Sequence, residues 1–150
     1  MDVCEAFRKA KEYVKSFDKG GKNKSIMFVG QVGSGKTHLS MAIANFLMKD
    51  GVGVVYMHYR DNIISIKQNT MDEEYYRRCS DINIMFEIIN YRYLNWLPII
   101  VSCEKGIDEI MNIDEAMNID EAIGSRLVEM CGGCLVEMKG KRLNYRIYVY

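Results

Sequence analysis

The chain has no surplus of charge and no long apolar run, and these two absences remove whole classes of function at the outset. Its 20 Lys and Arg offset 20 Asp and Glu, so no global field recruits DNA or an anionic lipid surface. No apolar stretch approaches the roughly 18 residues of a membrane span, and the first residues are too charged for a secretory signal. The chain therefore reads as cytoplasmic, without a membrane partner. Histidine is scarce, with two residues, and the five cysteines are an odd number, which fits reduced intracellular thiols. Cys131-Gly-Gly-Cys134 is a lone C-x-x-C. Zinc would need two further ligands, and Cys4, Cys79, His38 and His58 show no second paired spacing. Nor does the pair open a helix after a first strand, as a thioredoxin-like motif would.

What is present is the composition of an ordinary globule. A chain of 150 residues is long enough to bury roughly 68–70% of its unfolded surface, and residues 1–150 read as one domain. Charge is uneven along it: Arg8, Lys9, Lys11, Lys15, Lys19, Lys22 and Lys24 crowd the first segment, while every charged residue from Asp108 to Glu121 is acidic. Solvated surfaces explain both blocks, and contact between neighbouring copies is the alternative.

Apolar residues Val3, Ala6, Phe7, Ala10, Val14 and Phe17 recur at helical spacing, which predicts a helix over 2–17, with 1–24 as N-terminal helix and linker. Ser25 to Val29 is a short buried strand, and Leu39, Ile43, Phe46 and Leu47 mark a helix to about Asp50. Gly51 to Met57 reads as a turn and a second buried strand, followed by helix from Arg60 to about Lys67. Residues Thr70 to Arg78 are a charged helix or loop. Ser80-Asp81 caps a helix with the face Ile82, Met85, Phe86, Ile89 and Tyr93. The single proline, Pro98, punctuates it before a third buried strand, Ile99 to Cys103. A helix over Ala122 to Met130 ends at Gly132-Gly133, and Leu135–Met138 with Tyr145–Tyr150 forms a C-terminal β-hairpin about Lys139-Gly140. Met111-Asn-Ile-Asp-Glu-Ala116 is repeated at once as Met117 to Ala122. Six positions turn a helix by about 600°, so the copies cannot share one face, and a tandem duplication carried on the surface is the simplest reading.

Gly30-Gln-Val-Gly-Ser-Gly35-Lys36-Thr37 satisfies G-x-x-x-x-G-K-[ST] between a predicted strand and a predicted helix. The fold class expected is α/β, a P-loop three-layer sandwich with a mainly parallel sheet. The glycines let successive backbone N–H groups curl round an anion, and the helix that begins near Lys36 aims its positive end at it. Gly30, Gly33, Ser34, Gly35, Lys36, Thr37 and His38 are the cofactor-binding candidates, with Lys36 bridging the β- and γ-phosphates of ATP and Thr37 coordinating Mg²⁺.

Hydrolysis asks for more: a carboxylate at the tip of a neighbouring strand, and usually a second to orient water. No run of four apolar residues followed by paired acids occurs. Asp72-Glu73-Glu74 follows no strand, and Glu87 falls on the predicted helix. Glu104, at the end of Ile99-Ile-Val-Ser-Cys, is the strongest substitute, and Ser102 on the same strand suits a polar sensor beside the γ-phosphate.

The order of these pieces resembles the DnaC/IstB-type ATPases of the AAA+ group, replicative-helicase loaders and transposition helpers. The resemblance rests on FVGQVGSGKTHLSMAIANFLMKDGVGVVYM (28–57), SDINIMFEIINYRYLNWLPIIVSCEKGIDEI (80–110), and IDEAIGSRLVEMC with KGKRLNYR (119–131, 139–146). It implies ATP binding in DNA replication and a first sensor at Ser102 to Glu104. It also implies an arginine finger at Arg126 that acts on the ATP of an adjacent subunit, hence a homo-oligomer, with a replicative helicase and single-stranded DNA as partners. Tyr75, Tyr76, Arg77 and Arg78 would be the stacking and phosphate contacts.

This chain departs from that pattern in passing directly from Arg78 to the next helix, where the group carries a strand ending in paired acids. One central strand is therefore expected to be missing, with the second strand sliding inward to pair with Ile99–Cys103. A separate helicase-binding region is also not found. The duplication sits just upstream of Arg126. Three functional readings stand: a loader-type or transposition-helper ATP-binding protein with impaired hydrolysis, a degenerate remnant of one, and a P-loop small-molecule kinase.

Overall fold

In a computed structural model, residues 2–58, 81–104, 121–140 and 143–144 are described. They form α1 (Val3–Lys15), β1 (Ile26–Gly30), α2 (Lys36–Lys49), α3 (Asp81–Leu94), β2 (Ile100–Cys103), α4 (Glu121–Cys131) and β3 (Leu135–Met138). The three strands make one parallel sheet in the order β2-β1-β3. Ile26 pairs with Ile100 on one side, and Met27 with Leu135 on the other.

Side-chain alternation along β1 sorts the core into two halves. Ile26 and Phe28 pack with Ala6, Ala10 and Tyr13 of α1, Leu39, Ile43 and Leu47 of α2, and Val136 and Met138 of β3. Met27 and Val29 pack on the other face with Ile89 of α3 and Ile123, Leu127 and Cys131 of α4. Helices on both faces of a parallel sheet are the three-layer arrangement expected.

α1 starts where Asp2 accepts the Glu5 N–H at 2.8 Å, and it buries Ala6, Ala10 and Tyr13. The Tyr13 hydroxyl donates to the Lys24 carbonyl at 3.0 Å, which fixes where the linker enters β1. Phe7 and Phe46, placed by periodicity on apolar faces, are instead more than half exposed. The small Ala6, Ala10 and Ala44 are buried in their helices instead.

Gly51–Met57 is not a strand. Val52 N–H donates to the Leu47 carbonyl at 2.9 Å, so the chain stays tied to the end of α2. Val52 and Val54 lean on the α1/α2 side of the core, while Val55 is 86% exposed. The expected pairing with Ile99–Cys103 is also absent, since among the described residues no strand lies beside β2 except β1. Apolar composition makes a segment fit for a strand, but only a paired neighbour makes it one. The helix over Arg60–Lys67, Tyr75 to Arg78, Ser80, the first copy of the duplication and Tyr145–Tyr150 lie outside the described residues.

α4 ends as anticipated at Gly132 (φ +46°) and Gly133 (φ +90°). Cys134 N–H turns back to the Cys131 carbonyl at 2.7 Å, so the C-x-x-C is the helix terminus. Glu87 is exposed on α3, on the opposite side of the sheet from α2. No described helix is long and apolar enough to cross a membrane.

The unpaired 51–58 segment makes a sharp prediction. Val55→Asp is expected to leave unfolding free energy within about 0.5 kcal/mol of wild type. Val54→Asp is expected to cost about 1–3 kcal/mol by taking a charge into the core margin. Denaturant melts read both, and equal large losses would restore the buried strand.

Candidate nucleotide site

The loop after β1 is built from glycines whose backbones need them. Gly30 (φ +121°) closes β1 against β3, where a Cβ would stand 2.9 Å from the Met138 carbonyl carbon. Gly35 (φ +91°) is the N-cap of α2; no side chain caps that helix and no acid lies in its first turn. Its leading N–H groups are thus left to face an anion, at the positive end of the helix.

Lys36 is only 5% exposed. Its ammonium donates to the Gly30 carbonyl at 2.9 Å and the Gln31 carbonyl at 2.6 Å, which compensates a buried charge that would otherwise be costly. Ser34, fully buried, donates to the same Gln31 carbonyl at 2.9 Å. Between loop and α1 lies a cavity of about 350 Å³ lined by Val3, Gly33, Ser34, Gly35, His38 and Leu39. That is within the size range of small-molecule sites. Thr37 and His38 are exposed in the first turn of α2.

Ser102 and Glu104 stand at the same end of the sheet as the loop. Ser102 pairs with Phe28 and is exposed. By alternation with Val101 and Cys103, which pack on the α3/α4 side, it belongs to the α2 side. Glu104 follows the strand end, also exposed. β1 leads into α2 on one face and β2 precedes α4 on the other, so the crevice between their carboxyl ends is where ligands bind in open α/β sheets.

Arg126 lies elsewhere. It is on α4, across the sheet from α2, with its guanidinium 5.0 Å from the Phe86 ring centre and 5.8 Å from that of Tyr93. Its Nη1 is buried without a hydrogen-bond partner among the described residues. Tyr93 in turn donates to Glu129 at 3.0 Å. Within one chain Arg126 is thus separated from the phosphate loop by the sheet.

Two contributors escaped the motif reading. Gln31, a variable position of the motif, ties the loop to β3: its N–H donates to the Met138 carbonyl at 3.2 Å and its Oε1 accepts from Gly140 at 3.2 Å. Asn144 packs against Gly33. Only KGKRLNYR, noticed as a block, pointed to this strand end.

Comparison with known proteins is decided by one match, in which residues 8–89 fit the family described as IstB-like ATP binding protein. The chain belongs to this family. A relative is the protein YqaM of Bacillus subtilis (strain 168), 34% identical over 174 residues, 97% of this chain and 54% of that protein. Another is the replicative helicase loader DnaC of Escherichia coli (strain K12), 32% identical over 85 residues, 53% of this chain and 34% of that protein. The crystal structure of the DnaC helicase loader shares the fold, with a TM-score of 0.74 at 22% identity over 93% of this chain and 92% of that one. This IstB-like chain is therefore a P-loop AAA+ domain, and it spans about half the length of YqaM and a third of DnaC. The YqaM alignment is longer than the 150 residues available, so YqaM carries positions with no counterpart here.

The C-x-x-C supplies a pH test. Burial, then the neighbouring Cys134, pushes the Cys131 thiol from 9.0 up to about 12, and burial raises the Tyr13 phenol above its ordinary 10.0. Both groups hold their protons to higher pH when folded than when unfolded. Their contribution is therefore intact below pH 9 and lost as pH rises toward 12. The denaturation midpoint is expected to stay level to about pH 9 and then fall, less steeply in Cys131→Ala. Alkylation at pH 8 is expected to reach exposed Cys4 and spare Cys131.

Proposed function

We propose that this chain holds Mg-ATP in Gly30–Thr37 and hydrolyses it poorly or not at all, as the nucleotide-binding domain of a cytoplasmic helicase-loader-type protein in DNA replication. The observation that carries the reading is the buried Lys36, held by loop carbonyls directly ahead of an uncapped helix N-terminus. The residues fit the nucleotide. Loop N–H groups and Lys36 would take the phosphates, the cavity beside Val3 and His38 would take part of the remainder, and Ser102 would sense the γ-phosphate. Bound Mg²⁺ would neutralise phosphate charge, and the exposed Thr37 hydroxyl is the side chain available to coordinate it.

Impaired turnover follows from the acids. Among the described residues, Glu104 is the carboxylate at the loop end of the sheet on the α2 side, and no strand beyond β2 brings a pair. A missing general base alone forfeits about 10²–10⁴ in rate. Arg126 would serve an adjacent subunit only after leaving Phe86 and Tyr93, contacts worth roughly 0.5–2 kcal/mol each. The positions that YqaM carries in excess of this chain are compatible with the loss read from the sequence between Arg78 and Ser80.

A replicative helicase and single-stranded DNA are the partners this reading names. A transposition helper is the second reading, favoured by the IstB-like description of the family. Binding to a purified replicative helicase in the presence of Mg-ATP separates the first from the second.

Saturating Mg-ATP is expected to raise the melting temperature by several degrees, since ligand at 100 times Kd adds about 2.7 kcal/mol. Lys36→Ala is expected to abolish that shift. Steady-state phosphate release is expected at or near the Lys36→Ala background. Absence of any shift would favour a decayed remnant, and turnover of ordinary P-loop rate that vanishes in Lys36→Ala would reveal an unrecognised acid.

A further inference from the structure

After β3, the described residues Gly140, Leu143 and Asn144 come back to the phosphate loop. Leu143 N–H donates to the Gly140 carbonyl at 3.3 Å, Gly140 N–H to Gln31 Oε1 at 3.2 Å, and Gln31 N–H to the Met138 carbonyl at 3.2 Å. This turn delivers Asn144 to Gly33. A methyl group on Gly33 would stand 2.7 Å from the Asn144 carboxamide carbon, whereas one on Gly35 would meet nothing within 4 Å. Gly33 also has φ +76°. Its lack of a side chain thus serves two ends, a left-handed backbone and the close seat of a partly buried amide.

We infer that Asn144 is a positioning residue of the nucleotide site, bracing the Gly33 turn from outside so that the loop N–H groups stay arranged for phosphate. The inference rests on the Mg-ATP reading above. An uncharged amide suits the place: it occupies the space a side chain on Gly33 would need and brings no negative charge beside the phosphates. Through Gln31 and Asn144, the segment that follows β3 holds the loop at two points, so a change in that segment is felt at the nucleotide.

The test measures Mg-ATP and Mg-ADP affinity and ligand-free melting temperature on the full chain, for wild type and four variants. Asn144→Ala is expected to weaken Mg-ATP about tenfold, the equivalent of one lost interaction, with the melting temperature within about 2 °C. Asn144→Asp, of the same shape, is expected to lose more for ATP than for ADP because repulsion grows with phosphate charge. Gly33→Ala is expected to bind poorly, and Gly33→Ala with Asn144→Gly to recover little of that loss, because the strain at φ +76° and the missing brace both remain. Asn144→Ala binding within twofold of wild type would overturn the inference, as would a double variant that binds as tightly as wild type without the Asn144 side chain. A loss accompanied by a large fall in ligand-free melting temperature would also overturn it, by showing a merely structural role. Wild type that binds no Mg-ATP would sink the underlying reading as well, and is distinguishable from every other outcome.

Discussion

β1 is paired on both sides, to β2 through Ile26–Val29 and to β3 through Met27–Gly30, and the placement of every candidate site residue on the α2 side descends from that. Its residues from Ile26 to Val29 are at most 1% exposed, each worth roughly 1.5–3 kcal/mol of burial. A strand clamped in this way fixes Gly30 against the Met138 backbone. From there Gln31 and Ser34 shape the loop, and Gly35 starts α2 with its N–H groups in line. The ordering cost of a phosphate cradle is then met in folding rather than in binding.

On the function proposed above, the same scaffold separates holding a nucleotide from cleaving it. Holding draws on backbone groups and Lys36, all local to β1, α2 and the exit of β3. Cleavage, on the proposed reading, would draw on acids from a more distant lane of the sheet and on an arginine from another subunit. Loss of one strand can therefore remove the second capacity while leaving the first mechanically intact, because β1 keeps both of its own neighbours.

Features encoded by neighbouring residues were legible in the sequence. The glycine pattern of 30–37 specified the loop because positive φ and close approach demand glycine there. Helical periodicity found α1, α2 and α3, and Gly132-Gly133 announced the end of α4. Features decided by distant partners were not. Val54 to Met57 has strand composition, but whether it pairs depends on a lane far away in sequence. Phe7 and Phe46 lost their expected burial to alanines that allow closer packing. The stacking of Arg126 on Phe86 and the seat of Asn144 on Gly33 join residues 40 and more than 100 positions apart, and no spacing rule reaches them.

The fate of bound nucleotide is the most direct test of the proposal that this domain holds ATP without cleaving it. Purified chain is incubated with Mg-ATP, freed of unbound nucleotide, and its bound nucleotide identified by chromatography after an hour. Recovery of ATP near one equivalent is the predicted result. Recovery of ADP, absent from a Lys36→Ala control, would contradict it.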